Sequence, residues 1–556
     1  MRFLEINNGN FALKGIGMTH LKQAFLLGLL ILVVLASACP SYGQASKGAT
    51  TGIAPAEKCA DLLNLKIEGL NLAITKADAV PTTPPGTVRA SPFSPEPISV
   101  AIPSYCRVDG TLDQRTGADG KPYGIGFAIA LPDTWNGRFL FQGGGGLNGF
   151  IGDPFGAAAA GKVPGLARGF AVIATDTGHQ GQVFESSFRK DQLASLDFDY
   201  IAVGRVAILA KQIIAKYYGQ PAKHSYYAGC STGGREGMLM SQRYPLYFDG
   251  IVSGAPAMDT GYSNIGVSWA MKTFSEIAPK NANGKPEPSK DFSSPDKDLL
   301  VKAILNGCDD QDGLKDGMIF NRKACQFDPE VLQCKGTKND ECLTGDQVRA
   351  LKKAFSGPKD SEGHQVYPPF AYDPDMVAEL HGPGLSFLPT PGPSVLGNVL
   401  PPDVTVDQQV AYVRADANQT LTDTASWTNL STFSGHGGKL IFYHGTSDPW
   451  FSFLDTVDYY ERMTRDNGGI EKVQGWSRIF LVPGMSHCGG GQAALDEFDF
   501  LGAVVDWVET GGAPDSVVAT GRSFPGRSRP LCAYPKYARY QGQGDSESAS
   551  NFACVE

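Results

Sequence analysis

The stretch Gly229-Cys230-Ser231-Thr232-Gly233 constrains this chain more than any other. An apolar, aromatic run precedes it, His224-Ser225-Tyr226-Tyr227-Ala228, and Gly234-Arg235-Glu236-Gly237-Met238-Leu239-Met240 follows. The run has the composition of a buried strand and the second stretch that of a helix. A serine between two glycines, set between strand and helix, is the pattern of a nucleophile elbow. A turn that tight leaves no room for side chains beside the serine, and glycine tolerates the strained backbone. The serine is pushed out at the strand end, beside a helix N-terminus whose N–H groups can face an anion. The same residues also suit a plain Gly/Ser loop, so the reading depends on the rest of the chain.

The flanking sequence supplies that support. Gly124 to Leu131 alternates in part, and Arg138 to Gln142 is an apolar run. Phe170 to Asp176 reads as another buried strand, followed by Thr177-Gly178-His179. Phe198 to Tyr218 carries apolar residues at helical spacing, and Asp249 to Pro256 resumes strand character. Strands alternating with helices predict a mostly parallel sheet covered on both faces. Together with the elbow this gives an α/β fold of the α/β-hydrolase type. The glycine cluster Gly143 to Gly146, with Leu147-Asn148-Gly149, then stands where such a fold places an oxyanion-hole donor. Read without the serine, it is a flexible turn.

After Ala257 the character changes. Up to about Gly437 there is little strand alternation and many Pro and Gly, with four cysteines. Leu440 to Gly445 and Ile479 to Gly484 return to the buried-strand style, with helical patterns at 453–463 and 498–508. The expectation is one hydrolase sheet in two parts, 46–257 and 437–556, interrupted by a lid at 258–436. An insertion after a core strand lies over the active site, because functional loops gather at strand C-termini. Within the first part, 46–103 reads as a strap over the domain. It has a short helix-like piece near Cys59 and Pro-rich tracts at 81–85 and 92–103. Residues 1–45 read as a leader: Ala24 to Ala36 is a short apolar run behind Lys14 and Lys22, and Ala36-Ser37-Ala38 offers a cleavage site. The run is too short for a membrane span. Met18 is a candidate start, and Cys39 raises the alternative of a lipid anchor.

An elbow serine needs a base and an acid to orient it, in the chain order Ser, Asp or Glu, His. Asp448, in His444-Gly445-Thr446-Ser447-Asp448, lies just past one of the resumed strands. His487, in Gly484-Met485-Ser486-His487-Cys488, lies in a glycine-rich loop past the next. Of the 8 histidines, His20, His179 and His224 precede the serine, and His364, His381 and His436 fall in the insertion. Asp176 is a competing acid, but it too precedes the serine and reads as structural.

Setting Cys39 aside leaves ten cysteines, an even number that implies disulfides in an exported protein. No C-x-x-C spacing occurs, which argues against zinc. Proximity in the chain suggests Cys308–Cys325, Cys334–Cys342 and Cys532–Cys554. Cys230 precedes the serine and Cys488 follows the base, so a Cys230–Cys488 bridge would brace the two loops. In the insertion, Cys308 to Met318 crowds Asp309, Asp312 and Asp316 between turn glycines Gly313 and Gly317. Hard oxygen ligands in a tight acidic loop suit Ca²⁺, although the spacing is not an EF-hand and a solvated acidic turn is the plain alternative. A net charge of −9 without a basic stripe argues against nucleic acid as a partner.

The boxes Gly229 to Arg235, His444 to Asp448 and Gly484 to Cys488 resemble those of the tannase and feruloyl esterase family of α/β-hydrolases. The similarity spans nearly all of the chain beyond the leader. Leu454 to Arg462 and the tail Arg529 to Cys554 look closest to the branch containing mono(2-hydroxyethyl) terephthalate hydrolase. The resemblance implies Ser231 as nucleophile, His487 as base and Asp448 as its partner, with an oxyanion hole from the Gly146 and Thr232 N–H groups. It implies five disulfides, adding Cys59–Cys106 to the four above. It implies a structural calcium on the Asp309, Asp312 and Asp316 side chains and the Leu314 and Met318 carbonyls.

One departure bears on the substrate. Terephthalate-monoester hydrolases of this family use a lid arginine to hold the substrate carboxylate. Here the lid looks shortened and has no arginine between Phe370 and Val413; Arg414 is the first candidate afterwards. Trp450 and Phe451 would place aromatic bulk at the pocket. The expectation is a secreted or periplasmic serine esterase acting on small aromatic esters of the feruloyl or galloyl type. A terephthalate-monoester esterase, an amidase on the same triad and a non-catalytic, calcium-stabilised binding protein are the alternatives.

Overall fold

The computed structural model describes residues 52–91, 94, 96–287, 290–377 and 404–556. The leader, Cys39 and part of the insertion, 378–403, lie outside the described residues. Nine strands form the central sheet: β1 Leu72–Val80, β2 Tyr105–Thr116, β3 Pro122–Pro132, β4 Arg138–Gln142, β5 Ala171–Thr175, β6 His224–Cys230, β7 Gly250–Gly254, β8 Lys439–Gly445 and β9 Ser477–Val482. They lie in the order β1-β2-β3-β5-β4-β6-β7-β8-β9. The β1-β2, β2-β3 and β3-β5 pairs are antiparallel. From β5 through β9 every pair is parallel. This is the α/β-hydrolase sheet expected from the sequence.

The strands are apolar throughout because both faces are covered. Side chains alternate across the sheet. Phe139, Phe141, Tyr227, Leu440 and Phe442 enter one apolar cluster with the helix Ala202–Tyr218. Leu140, Tyr226, Ala228, Ile441 and Tyr443 enter the other, with the helix Phe500–Thr510 and the tail strands. The apolar spacing from Phe198 to Tyr218 is interrupted at its start by a π-turn, Asp197–Ile201.

Between β7 and β8 runs the inserted segment, whose helices Thr260–Ile277, Ser294–Cys308 and Gly345–Phe355 share their own apolar cluster. All five expected disulfides are present: Cys59–Cys106, Cys230–Cys488, Cys308–Cys325, Cys334–Cys342 and Cys532–Cys554. The N-terminal stretch is more than a strap. Residues 72–80 form β1, the edge strand of the sheet, and Cys59–Asn64 is a 3₁₀ turn. Among the described residues no helix is long and apolar enough to cross a membrane.

Candidate active site

Ser231 sits between β6 and the helix Thr232–Gln242 with φ 63° and ψ −124°, a conformation that L-residues rarely adopt. Two of its glycine neighbours are required by close approach. A Cβ on Gly229 would lie 2.6 Å from the Gly233 carbonyl oxygen, and one on Gly233 would lie 2.7 Å from that of Gly144. The elbow and the glycine loop 143–146 therefore pack backbone to backbone.

That loop is fixed from below by a residue that composition and spacing did not single out. Glu236, fully buried one turn past the serine, accepts hydrogen bonds from Gly144 N at 3.1 Å, Asn148 Nδ2 at 2.8 Å and the Tyr227 hydroxyl at 2.9 Å. The Thr232 hydroxyl donates to the Gly146 carbonyl. The amides of Gly146 and Thr232 donate to nothing among the described residues, and both residues line one narrow cleft with Ser231. Two unpaired N–H groups beside a serine are what an oxyanion hole needs. Only the run of glycines hinted at this loop in the sequence; Glu236 gave no signal of its own.

Asp448 and His487 come from the loops after β8 and β9. His487 Nδ1 lies 2.7 Å from Asp448 Oδ2. A carboxylate there makes Nδ1 the protonated nitrogen, which leaves Nε2 as the acceptor; Nε2 is buried and has no hydrogen-bond partner among the described residues. The Cys230–Cys488 bridge ties the residue before Ser231 to the residue after His487, with Cα atoms 5.9 Å apart. Burial alone would raise Asp448, but the charge of His487 and the hydrogen bonds of His444 and His487 hold its carboxyl well below the usual carboxylate range. Its second oxygen accepts from Trp450 N at 2.9 Å and Phe451 N at 3.1 Å.

His444 is a second residue missed as part of the site. Its Nε2 faces the Phe451 carbonyl at 3.1 Å and Asp448 Oδ2 at 3.3 Å, and its Nδ1 faces the Thr456 hydroxyl at 2.8 Å. A nitrogen between a carbonyl and a carboxylate donates, so His444 is a fixed donor to the acid. Asp373, from the insertion, accepts from the hydroxyls of Thr446 and Ser447 just ahead of the acid. Asp176 makes none of these contacts; its carboxylate accepts from Gly126 N and Gly178 N.

The cleft over Ser231 is walled by Leu147, Phe198, Ala257 and Phe451, with Thr260 and Thr422 contributed by the insertion. Trp450 is half-buried with its ring 4.8 Å from that of His487, and the exposed Phe184 meets Trp450 edge-on at 6.1 Å. Arg414 lies elsewhere. It lines a surface cavity with Tyr262, Asp360, His364 and Asp407 and is not a cleft residue. Arg235 does line the cleft, but its guanidinium donates to the Phe198 and Asp199 carbonyls.

In the acidic loop, Asp309 and Asp312 are buried, and the carboxylates are bound by backbone amides: Asp309 by Asp316 N and Gly317 N, Asp312 by Leu314 N and Phe320 N. Asp316 accepts from Met318 N and pairs with Arg529. Burial raises both Asp309 and Asp312, and each is raised further by the charge of Asp316. Among the described residues no three acidic, His or Cys side chains gather closely enough to cage a metal by themselves. The donor chemistry still fits a hard dication: two buried carboxylates carry no cationic partner among the described residues, and the Leu314 and Met318 carbonyls belong to the same loop.

The comparisons with known proteins agree with this geometry. The family model described as tannase and feruloyl esterase matches residues 106–383 and 399–555. The mono(2-hydroxyethyl) terephthalate hydrolase of Piscinibacter sakaiensis is 38% identical over 82% of this chain and 86% of its own. A probable feruloyl esterase of Arthroderma benhamiae is 30% identical over 84% of this chain and 89% of its own. Among solved structures, feruloyl esterase B from Aspergillus oryzae superposes with a TM-score of 0.72 at 27% identity, covering 89% of this chain and 99% of that one. With its sheet, elbow and disulfide-braced loops accounted for, the chain belongs to the tannase and feruloyl esterase family.

Proposed function

We propose that this carboxylic ester hydrolase is a serine esterase that cleaves esters of aromatic acids, of the feruloyl or galloyl type. The observation that carries the reading is His487: Nδ1 is held by Asp448, Nε2 is buried without a partner among the described residues, and the next residue, Cys488, is bridged to the residue before Ser231. His487 Nε2 takes the Ser231 hydroxyl proton as Oγ bonds to the ester carbonyl carbon. The carbonyl oxygen becomes an oxyanion held by the Gly146 and Thr232 amides. His487 then gives its proton to the leaving alcohol oxygen as the C–O bond breaks. Water repeats the sequence on the acyl-enzyme: His487 takes a proton from it, its oxygen bonds to the acyl carbon, and Oγ leaves with the proton restored.

The aromatic lining supports the substrate class. Phe198 and Phe451 face the cleft, and Trp450 with Phe184 stands at the His487 side. No arginine of the described inserted segment lines the cleft, which disfavours a carboxylated acid; the relative named for terephthalate monoesters keeps that substrate as the alternative. The segment 258–436 is read as the lid, because Thr260 and Thr422 reach the cleft. Five disulfides favour an oxidising, exported location. Calcium, on Asp309, Asp312, Asp316, Leu314 and Met318, would neutralise the carboxylates and stiffen the lid loop.

The test is hydrolysis of methyl ferulate, methyl gallate and mono(2-hydroxyethyl) terephthalate by the protein beside Ser231→Ala. Turnover of the phenolic esters is expected, with kcat falling on the order of a millionfold in the variant. A fall of less than tenfold would sink the serine mechanism. Preference for the terephthalate monoester would transfer the assignment to the carboxylated substrate.

A further inference from the structure

A second cavity, of about 850 Å³, opens where four parts of the chain meet. The inserted segment contributes most of Phe320 to Phe327 and Pro369 to Tyr372, the helix Phe453–Asp466 contributes its first three turns, the end of β9 contributes Leu481 and Pro483, and the tail contributes Cys532 and Tyr534 to Ala538. It shares no lining residue with the cleft of Ser231. Its volume is that of a small-ligand site.

The walls are largely aromatic, and cations outnumber acids among the charged groups. Phe327, Phe370, Tyr372 and Tyr534 line it, and Tyr372 is held by stacking on Phe355 at 4.4 Å and by the edge of Phe327 at 5.2 Å. Its single acidic lining residue, Glu461, is engaged by the Tyr534 hydroxyl at 2.6 Å. Three cationic residues remain. Lys323 and Lys536 are exposed and form no ion pair among the described residues. Arg322 is different, with a side chain only 10% exposed.

The guanidinium of Arg322 is fixed but incompletely satisfied. One terminal nitrogen donates to the Tyr372 carbonyl at 2.8 Å, and the other lies 3.4 Å from Asp373 Oδ2. Nε and the nitrogen facing Asp373 are sealed from solvent and have no hydrogen-bond partner among the described residues. Asp373 also accepts from the hydroxyls of Thr446 and Ser447, so its charge is shared with the turn before the catalytic acid. The positive charge of Arg322 is thus only partly matched at the cavity wall, and with the two lysines it favours an anion in the cavity, met by the terminal nitrogen that lies on the Tyr372 carbonyl.

We propose that this cavity binds a small aromatic carboxylate, its carboxylate on Arg322 beneath the two lysines and its ring among the aromatic walls. The inference goes beyond the esterase reading: it assigns a ligand site outside the catalytic cleft, separated from the acid turn by Asp373 alone.

Photolabelling of the full chain with 4-azidobenzoate tests it, with peptide mapping as the readout. Label is expected in peptides carrying residues 320–327 or 532–538. Excess ferulate should displace it, and the neutral 4-azidobenzamide should give at least tenfold less. Arg322→Gln should lower it at least fivefold. Lys323→Glu with Lys536→Glu should do the same, whereas Lys323→Arg with Lys536→Arg, which keeps the charge, should retain it. Both lysines are exposed, so these double variants report even if Arg322→Gln does not fold. Label absent from both segments, undisplaced by ferulate, or indifferent to the charge reversal overturns the proposal. Because the position of the label is read, the result does not depend on the role of Ser231.

Discussion

Asp176 and Asp448 both follow strands of one sheet, both are buried, and they titrate in opposite directions. Asp448 meets two imidazoles, which outweigh its burial. Asp176 accepts from the amides of Gly126 and Gly178, its Oδ2 has no partner among the described residues, and burial, with the charge of Asp197 beside it, lifts it to about 7. A carboxyl raised by folding contributes stability that is complete below its unfolded value near 3.8 and is lost as the pH rises to about 7. The displacement corresponds to roughly 4 kcal/mol. Asp176→Asn keeps an acceptor for both amides and cannot ionise. Melting curves at pH 5 and pH 8 should therefore show a smaller loss of Tm in the variant than in the parent; an unchanged gap would mean that Asp176 does not ionise in this range. Glu236 invites a parallel test in activity. Its three partners are all donors, so Glu236→Gln sets an amide N–H₂ against at least one of them and loosens the glycine loop. We expect kcat to fall on the order of ten- to hundredfold with KM little changed, since in the proposed mechanism the loop serves the oxyanion; a change confined to KM would contradict this.

At the scale of elements, legibility followed burial. β4 to β9 are apolar runs because helices cover both faces, and such runs stand out in a sequence. β1 was hidden because an edge strand has no such signal: Leu-Ala-Ile-Thr-Lys-Ala-Asp-Ala-Val mixes small and charged residues, and only Leu72 is buried. Order and loop position single out Ser231, Asp448 and His487 in the sequence, and the structure brings Asp448 and His487 to 2.7 Å. Glu236 and Asp373 do not stand out, because they hold partners distant in sequence; His444 is only four residues from Asp448, but inside a strand it reads as one more core residue. The cysteines helped most, since Cys230 and Cys488 mark two loops that must meet although they are 258 residues apart. A bridge closing so long a loop stabilises by up to about 5 kcal/mol in the chain-entropy model. Cys230→Ser with Cys488→Ser should lower Tm by several degrees. Because the bridge also sets the distance between Ser231 and His487, it should lower kcat more than tenfold at temperatures where the variant is still folded. Full kcat in a folded variant would reduce the bridge to a stabilising role alone.

For the whole molecule, the question is what joins the inserted segment to the rest of the fold. The acidic loop sits at that junction. Asp316 pairs with Arg529, which is fully buried in the tail, and Arg527 donates to the Asp316 carbonyl at 2.8 Å while holding Glu547. Gly313 packs against the Tyr540 carbonyl, where a Cβ would have only 3.3 Å. The tail in turn lies on the sheet through the cluster containing Leu531 and Ala538. One side of the loop is thus neutralised by arginines. The other side, Asp309 and Asp312, faces no cation among the described residues, and that asymmetry is why calcium is proposed there. If calcium supplies the missing charge, EGTA should lower Tm by several degrees and added Ca²⁺ should restore it, with Mg²⁺ a poor substitute because it demands tighter octahedral geometry. Asp312→Asn should melt lower than the parent in calcium and respond little to EGTA. Disulfides hold the segment internally at Cys308–Cys325 and Cys334–Cys342, so the loss should appear as loosening of the junction rather than unfolding of the insertion. Faster proteolysis between 309 and 318 in EGTA would locate it there. A Tm indifferent to EGTA, Ca²⁺ and Asp312→Asn would leave the arginine pairs as the junction's whole support and remove calcium from the account.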